Sequence, residues 1–442
     1  MIIYLISFSV SFLFSWLGWF IPSGLVLIVG AFGLYWSDYR KSGNLIHLRA
    51  LFGLFFTGGQ ALSCMKLSRL QTEWSHTTWA CFFLAVVSFY LAYEWAERRH
   101  SSSSAGGWLK RQASGPHGMR RRERELALRR FEKPLFVSIA AVTAVSLAAF
   151  LFEAAVLGYI PFFLRGVPHA YSYFHISGVH YFTVSCVLVP SLYVLYAQAQ
   201  REKNRVRNGL AALLTVVSLL IPVLCVSRFQ LILAVGMAAF TFLAVKHKMK
   251  VWQTAVLVGA MIPCYVILTI ARSHDVAYLN GIFEMKNSAM PIFVTQPYMY
   301  IANNYDNFNC LVENLPAHSF GMRMLFPVWA LTGLKFLVPE LVNFPIYVNK
   351  EELTTLTLIY DAYYDFGVPG VILFCGALGL VCCVLVQKLS RLDNPVGYVL
   401  YAQIAMYLVL SFFTTWFSNP ATWFYLAVTG AVYLYVEYRQ RR

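Results

Sequence analysis

The chain has 442 residues, of which 59% are hydrophobic and 12% charged, with a formal net charge of +15. Apolar sequence on that scale excludes a single water-soluble core and points to an integral membrane protein. The positive surplus does not indicate a nucleic-acid partner, because it sits mainly in short connections beside apolar runs, where membrane orientation and anionic lipid account for it.

A helical span needs roughly 20 apolar residues to cross about 30 Å of hydrocarbon, and the sequence accommodates about twelve. They are predicted near residues 2–19, 22–36, 46–65, 77–96, 134–157, 174–197, 209–225, 229–245, 251–271, 367–387, 396–414 and 421–436. Stretches such as "FVSIAAVTAVSLAAFLF" and "VPGVILFCGALGLVCCVLV" are apolar on every face, which fits helices and not the alternating strands of a barrel. The first pair lacks a basic leader and reads as a helical hairpin turning at "IPSG", not as a signal peptide. The nine cysteines fall mostly inside spans, with Cys310 in a loop, and read as free thiols.

With both termini in the cytoplasm, every basic connection falls on one side, and all but nine of the 35 Lys and Arg lie there. The opposite orientation would invert that bias. On the cytoplasmic side, segment 97–133 passes from "SSSSAGG" into "MRRRERELALRRF", a basic amphipathic stretch that reads as an interfacial anchor. On the outer side, residues 272–366 form one long loop. Within it, 322–338 is apolar but short and broken by Pro327 and Gly333, so it reads as a re-entrant or surface-lying helix. The expected fold is all-α and polytopic, a single transmembrane domain over 1–442.

Three polar clusters face outward in this topology. The first is a set of four arginines near span ends: Arg165, Arg228, Arg272 and Arg323. Positive charge is disfavoured on that side, and a guanidinium donates paired hydrogen bonds to phosphate while keeping its charge, so the four form a candidate anion site. A snorkelling residue at the interface is the structural alternative for Arg228. The second cluster, 158–182, carries His169, His175 and His180 among aromatics; an aromatic belt is its structural alternative. The five-residue spacing of His175 and His180 misses the usual metal pair, so no metal is expected. The third is "LIYDAYYDFGVPGVILF", with Tyr360, Asp361, Tyr364 and Asp365 beside a span; Asp365 also reads as a helix-start residue. Glu153, inside the outer end of the fifth span, is a carboxylate that lipid would not tolerate ionised without a partner.

On these residues the chain resembles the bacterial oligosaccharide repeat-unit polymerases, the O-antigen polymerase family. The likeness rests on the many-helix layout, Ser227-Arg228 at an outer helix end, the long late outer loop, and Asp-Phe-Gly-x-x-Gly from Asp365 to Gly370 opening a span; Val226 stands where many members have glycine. The resemblance implies a GT-C-like membrane glycosyltransferase, inverting and without metal or other cofactor. It would transfer an undecaprenyl-diphosphate-linked glycan onto another lipid-linked repeat unit at the outer face of the cytoplasmic membrane, with a chain-length regulator as a further partner. In that frame Arg228 is the expected diphosphate clamp, supported by Arg165, Arg272 and Arg323. The base is sought among Asp361, His180, His169 and Glu153. Tyr360, Tyr364, Tyr305, His175 and Asp365 are expected along the glycan. An O-antigen ligase with the same donor and a lipid-linked oligosaccharide flippase are the competing readings, and a purely structural scaffold a third.

Overall fold

The computed structural model describes residues 1–103, 128–164, 170–200, 204–246, 252, 259, 276–389 and 393–441. Among the described residues there is no strand, only one isolated antiparallel bridge between Ser68 and Met285. In chain order the helices used below are α1 (Ile2–Trp16), α2 (Phe20–Ser42), α3 (Leu48–Cys64), α4 (His76–Ser103), α5 (Glu132–Leu157), α6 (Val179–Val184), α7 (Val189–Ala199), α8 (Arg205–Leu224), α9 (Arg228–Lys246), α10 (Val276–Phe283), α11 (Ile292–Asn314), α12 (Phe326–Leu331), α13 (Tyr360–Leu389), α14 (Val396–Val409) and α15 (Pro420–Arg441). Among the described residues, seven helical stretches are long and apolar enough to cross a bilayer: α2, α4 over His76–Arg99, α5, Val179–Ala199, α8, α9 and α13. The molecule is therefore an all-helical polytopic membrane protein. The expected span at 251–271 and most of the basic segment 97–133 lie outside the described residues.

Packing divides the chain into two compact units. The first comprises Met1–Ala113, Asp275–Gln387 and Tyr407–Pro420; the second comprises Ser114–His274, Lys388–Met406 and Ala421–Arg442.

The first unit begins with the expected hairpin of α1 and α2. Small residues on the inner face of α2 set its packing: a Cβ at Gly30 would stand 2.7 Å from Ser7, and one at Gly24 2.6 Å from the Ala61 carbonyl of α3. The Ser11 and Ser23 hydroxyls meet at 2.9 Å between the same helices. Close backbone approach through small residues with polar links is how helices associate in lipid, where burial of apolar surface gives little drive. The opposite face of α2 leaves Ile21, Leu25, Val29 and Phe32 exposed, as a lipid-facing stripe should.

A second feature of this unit departs from the sequence reading. Residues 292–314, expected as outer loop, form a continuous helix, α11, with Asn303, Asn304, Asp306, Asn307 and Asn309 buried. Asn303 donates to Asn307 Oδ1 within the helix at 3.2 Å, and the other four fasten segments outside it. Asn307 Nδ2 donates to the carbonyls of Leu353 and Thr355 at 2.7 and 2.9 Å, and Asn304 Nδ2 to that of Phe412 at 2.6 Å. Asp306 accepts four bonds, from Lys66 Nζ at 2.5 Å and from Ser63 Oγ, Gln71 Nε2 and Trp74 Nε1, each at 2.8 Å. A buried carboxylate with four donors specifies one arrangement of the chain around it.

In the second unit α5 packs against α6, α7 and α8. The expected span 174–197 is interrupted: α6 ends at Val184, Ser185–Leu188 form a 3-10 turn, and α7 starts with Pro190 in its first turn. Proline is tolerated there because its missing N–H needs no partner. The expected surface helix at 322–338, in the first unit, is likewise two short pieces, α12 and Leu334–Leu337, separated by Gly333 in a left-handed conformation.

Candidate functional site

The first unit builds a cationic site from a broken helix. Gly367 in α13 sits at φ +62°, ψ −147°, a region that only glycine enters at little cost. The break leaves upstream carbonyls without their usual donors four residues on. Loop 318–324 supplies replacements: the Ser319 N–H donates to the Tyr364 carbonyl at 3.3 Å, the Phe320 N–H to the Asp365 carbonyl at 3.1 Å, and His318 Nδ1 lies 3.2 Å from the Tyr364 oxygen. The Asp365 carboxylate completes the docking. It accepts from the Arg323 N–H at 3.2 Å, from the Met324 N–H at 2.8 Å and from the Ser319 hydroxyl. Asp365 is fully buried, so it anchors the loop and offers no oxygen to a glycan.

This docking sets Arg323 over α13. Its Nε donates to Asp361 Oδ1 at 2.7 Å, and its guanidinium carbon lies 4.6 Å from the ring centre of Tyr364 and 5.6 Å from that of Tyr360. Burial works to lower the pKa of Arg323, but the Asp361 charge and hydrogen bond outweigh it and raise the value above the ordinary one. The group stays a cation. Asp361 and Tyr364 are each 3% exposed and Tyr360 is fully buried, its hydroxyl donating to the Tyr347 carbonyl at 3.0 Å. The expected base, Asp361, is thus committed to a cation, and the two tyrosines form the bed on which the guanidinium lies. The terminal fork of Arg323 is the part turned outward: Nη1 reaches the Pro345 carbonyl only at 3.5 Å, at an exposed position.

The second unit holds a separate dyad. Glu153 is fully buried in α5 and accepts from the Ile176 N–H at 2.8 Å, from Thr183 Oγ1 at 2.7 Å and from His180 Nδ1 at 3.1 Å to each oxygen. The His180 side chain is 28% exposed, and the exposed His175 ring stands 6.3 Å away at 72°. Glu153 therefore has the partners that lipid demands, and it orients an imidazole whose other nitrogen is left for exchange.

Arg228 opens α9 with 8% exposure, after a tight turn in which Val226 takes φ +54°. Ser227 starts that helix, its Oγ lying 3.4 Å from the Gln230 N–H. Arg228 belongs to the second unit and Arg323 to the first. Arg165, His169 and Arg272 lie outside the described residues. Tyr305 does not line a groove: it is fully buried, donating to the Phe56 carbonyl at 2.6 Å, because α11 is a core helix and not a loop. Among the described residues, no three His, Cys, Asp or Glu side chains gather as metal ligands.

No family model matches this chain, and no curated protein or solved structure matches it either.

The chemistry available to the first unit follows from the residues alone. Arg323 presents a permanent, oriented cation on an aromatic bed, which suits a phosphate group beside a planar or ring-bearing ligand. His318, which the sequence reading passed over, is exposed at the same loop. A carbonyl can only accept, so the contact with the Tyr364 oxygen places a hydrogen on Nδ1, and in the neutral ring Nε2 is then the acceptor. The ring packs on the broken helix: a Cβ at Gly367 would come within 3.0 Å of Nε2.

Proposed function

We propose that this chain is a membrane glycosyltransferase that lengthens lipid-linked oligosaccharides. It transfers a polyprenyl-diphosphate-linked glycan onto a second lipid-linked repeat unit at the outer face of the cytoplasmic membrane, inverting the anomeric centre without a metal. The reading carries with it both termini in the cytoplasm, about twelve spans and a GT-C-like arrangement.

The observation that supports it most is the placement of Arg323. A guanidinium held by Asp361 at one end and by two tyrosine faces beneath keeps its outer fork for an anion. In the proposed step the acceptor hydroxyl attacks the anomeric carbon, the bond to the diphosphate oxygen breaks, and Arg323 stabilises the charge that develops on the departing diphosphate. The hydroxyl proton passes to Nε2 of His318. Asp361 acts through Arg323 as a positioning residue, and Asp365 acts through the loop.

The test is transfer by purified protein reconstituted with lipid-linked repeat units. Arg323→Ala is expected to lower the rate by about 10²–10³-fold, the range for loss of one preorganised donor to a developing anion. Arg323→Lys is expected to recover only part of it, because an ammonium cannot reproduce the fork. Wild-type rates in folded Arg323→Ala protein would overturn the assignment.

A further inference from the structure

The first unit contains a second cationic feature away from Arg323. A cavity of about 490 Å³ opens beside the turn between α1 and α2, lined by Gly18, Trp19, Phe20, Met65, Lys66 and Lys286 among others. Its lining holds two lysines and no carboxylate. The rim is built, not incidental. Segment 284–286 is tied to 67–69 by the isolated bridge, with the Lys286 N–H donating to the Leu67 carbonyl at 2.9 Å and the Arg69 N–H to the Glu284 carbonyl at 2.8 Å. Ser68 Oγ adds a bond to the Phe283 carbonyl at 2.6 Å.

The two lysines differ in state. Lys66 is 3% exposed, held by Asp306 and by the Trp74 ring at 4.1 Å, and its backbone takes a strained positive φ of 48°. Burial lowers its pKa; Asp306 pulls the value back up, and the Lys286 charge pushes it down again. Lys66 is thus already engaged, its ammonium directed to Asp306 and the Trp74 ring. Lys286 is exposed, and its Nζ stands 5.7 Å from the Phe20 ring centre. Glu284, the acid two residues away, is paired with Lys350 at 2.6 Å. Lys286 is thus the cation open to a ligand.

The surroundings say what kind of anion. The remaining walls include Trp19, Ile21, Met65, Leu67 and Met290. From the cavity's edge the exposed stripe Ile21, Leu25, Val29 and Phe32 runs down one face of α2. At ~1.5 Å per residue that stripe is about 16 Å long, close to half of the ~30 Å hydrocarbon thickness. We infer that this cavity binds the phosphate headgroup of an anionic phospholipid at Lys286, with the acyl chains lying along the α2 stripe.

The inference stands apart from the transfer reading, since its test reads binding and not glycan transfer. The purified full-length chain is placed in phosphatidylcholine vesicles with increasing phosphatidylglycerol, and the thermal midpoint is followed. A rise with phosphatidylglycerol is expected for wild type. Lys286→Gln is expected to need about fivefold more of the anionic lipid for the same rise, the scale for one lysine at a charged surface, and Lys286→Glu to lose the rise. Lys335→Glu, the same charge change on another loop lysine, is expected to keep it. Three results would overturn the inference: Lys286→Glu responding like wild type, Lys335→Glu losing the response equally, or inorganic pyrophosphate in pure phosphatidylcholine raising the midpoint as far as phosphatidylglycerol does.

Discussion

Single side chains decide the candidate site. Gly367 permits the break in α13, the break frees the Tyr364 and Asp365 carbonyls, and those carbonyls hold the loop that carries His318 and Arg323. Gly367→Ala should therefore cost about 1–3 kcal/mol or more from backbone strain alone, and its Cβ would push on His318 as well. Chemical or thermal unfolding reads this directly, with an unchanged midpoint as the contrary result. Asp365→Ala should loosen the loop by stranding three donors, at about 1–3 kcal/mol for each that finds no water. Limited proteolysis within 318–324 should then run faster than in wild type. His318→Gln keeps an N–H for the Tyr364 carbonyl but loses the proton acceptor, so transfer should fall by about 10²-fold or more while stability holds. Equal loss of both would make His318 a packing residue. The sequence announced Asp361, Asp365 and Arg323 as chemically loaded, but not that they belong together. Arg323 is 38 residues from Asp361, and a lone histidine in a loop has no periodic signal. Gly367, two residues after Asp365, read only as part of a motif opening a span and not as a break within a helix.

Among the elements, apolar helices were legible, the buried α3 and α14 included, and the polar helix α11 was not. Apolar α2, α5 and α9 fall close to their predicted spans, because hydropathy reports lipid exposure directly. The polar face of α11 hides its nature: "NNYDNF" reads as loop, yet its asparagines and Asp306 are buried against backbone groups of other loops. That helix should be the most mutation-sensitive element of the first unit. Asp306→Ala leaves a buried ammonium and three further donors without their acceptor, and should destabilise by about 3–5 kcal/mol. Lys66→Met removes the charge with its stem and should cost clearly less. Thermal unfolding of the two variants side by side would contradict the account if their order were reversed.

For the molecule as a whole, membrane character was plain from composition, whereas the division into two compact units was only partly so: its first boundary falls in the polar, basic segment 97–133, but the one at Met406 lies inside the apolar helix α14 and nothing in the composition marks it. Orientation is the property of the whole chain that the proposed reaction requires. A single cysteine at the exposed position Glu351, in a chain with its other cysteines replaced, should react with an impermeant maleimide added outside intact cells, and one at the exposed Tyr438 should not. Reversed labelling would turn the candidate site to the wrong face for an exported lipid-linked glycan. The most direct measurement is the product itself. Purified protein in vesicles, given only lipid-linked repeat units, is expected to yield a ladder of longer glycans still attached to polyprenyl diphosphate, with free polyprenyl diphosphate released at each addition. Unextended repeat units, glycan appearing only on an added lipopolysaccharide core, or units merely moved across the bilayer would contradict the account.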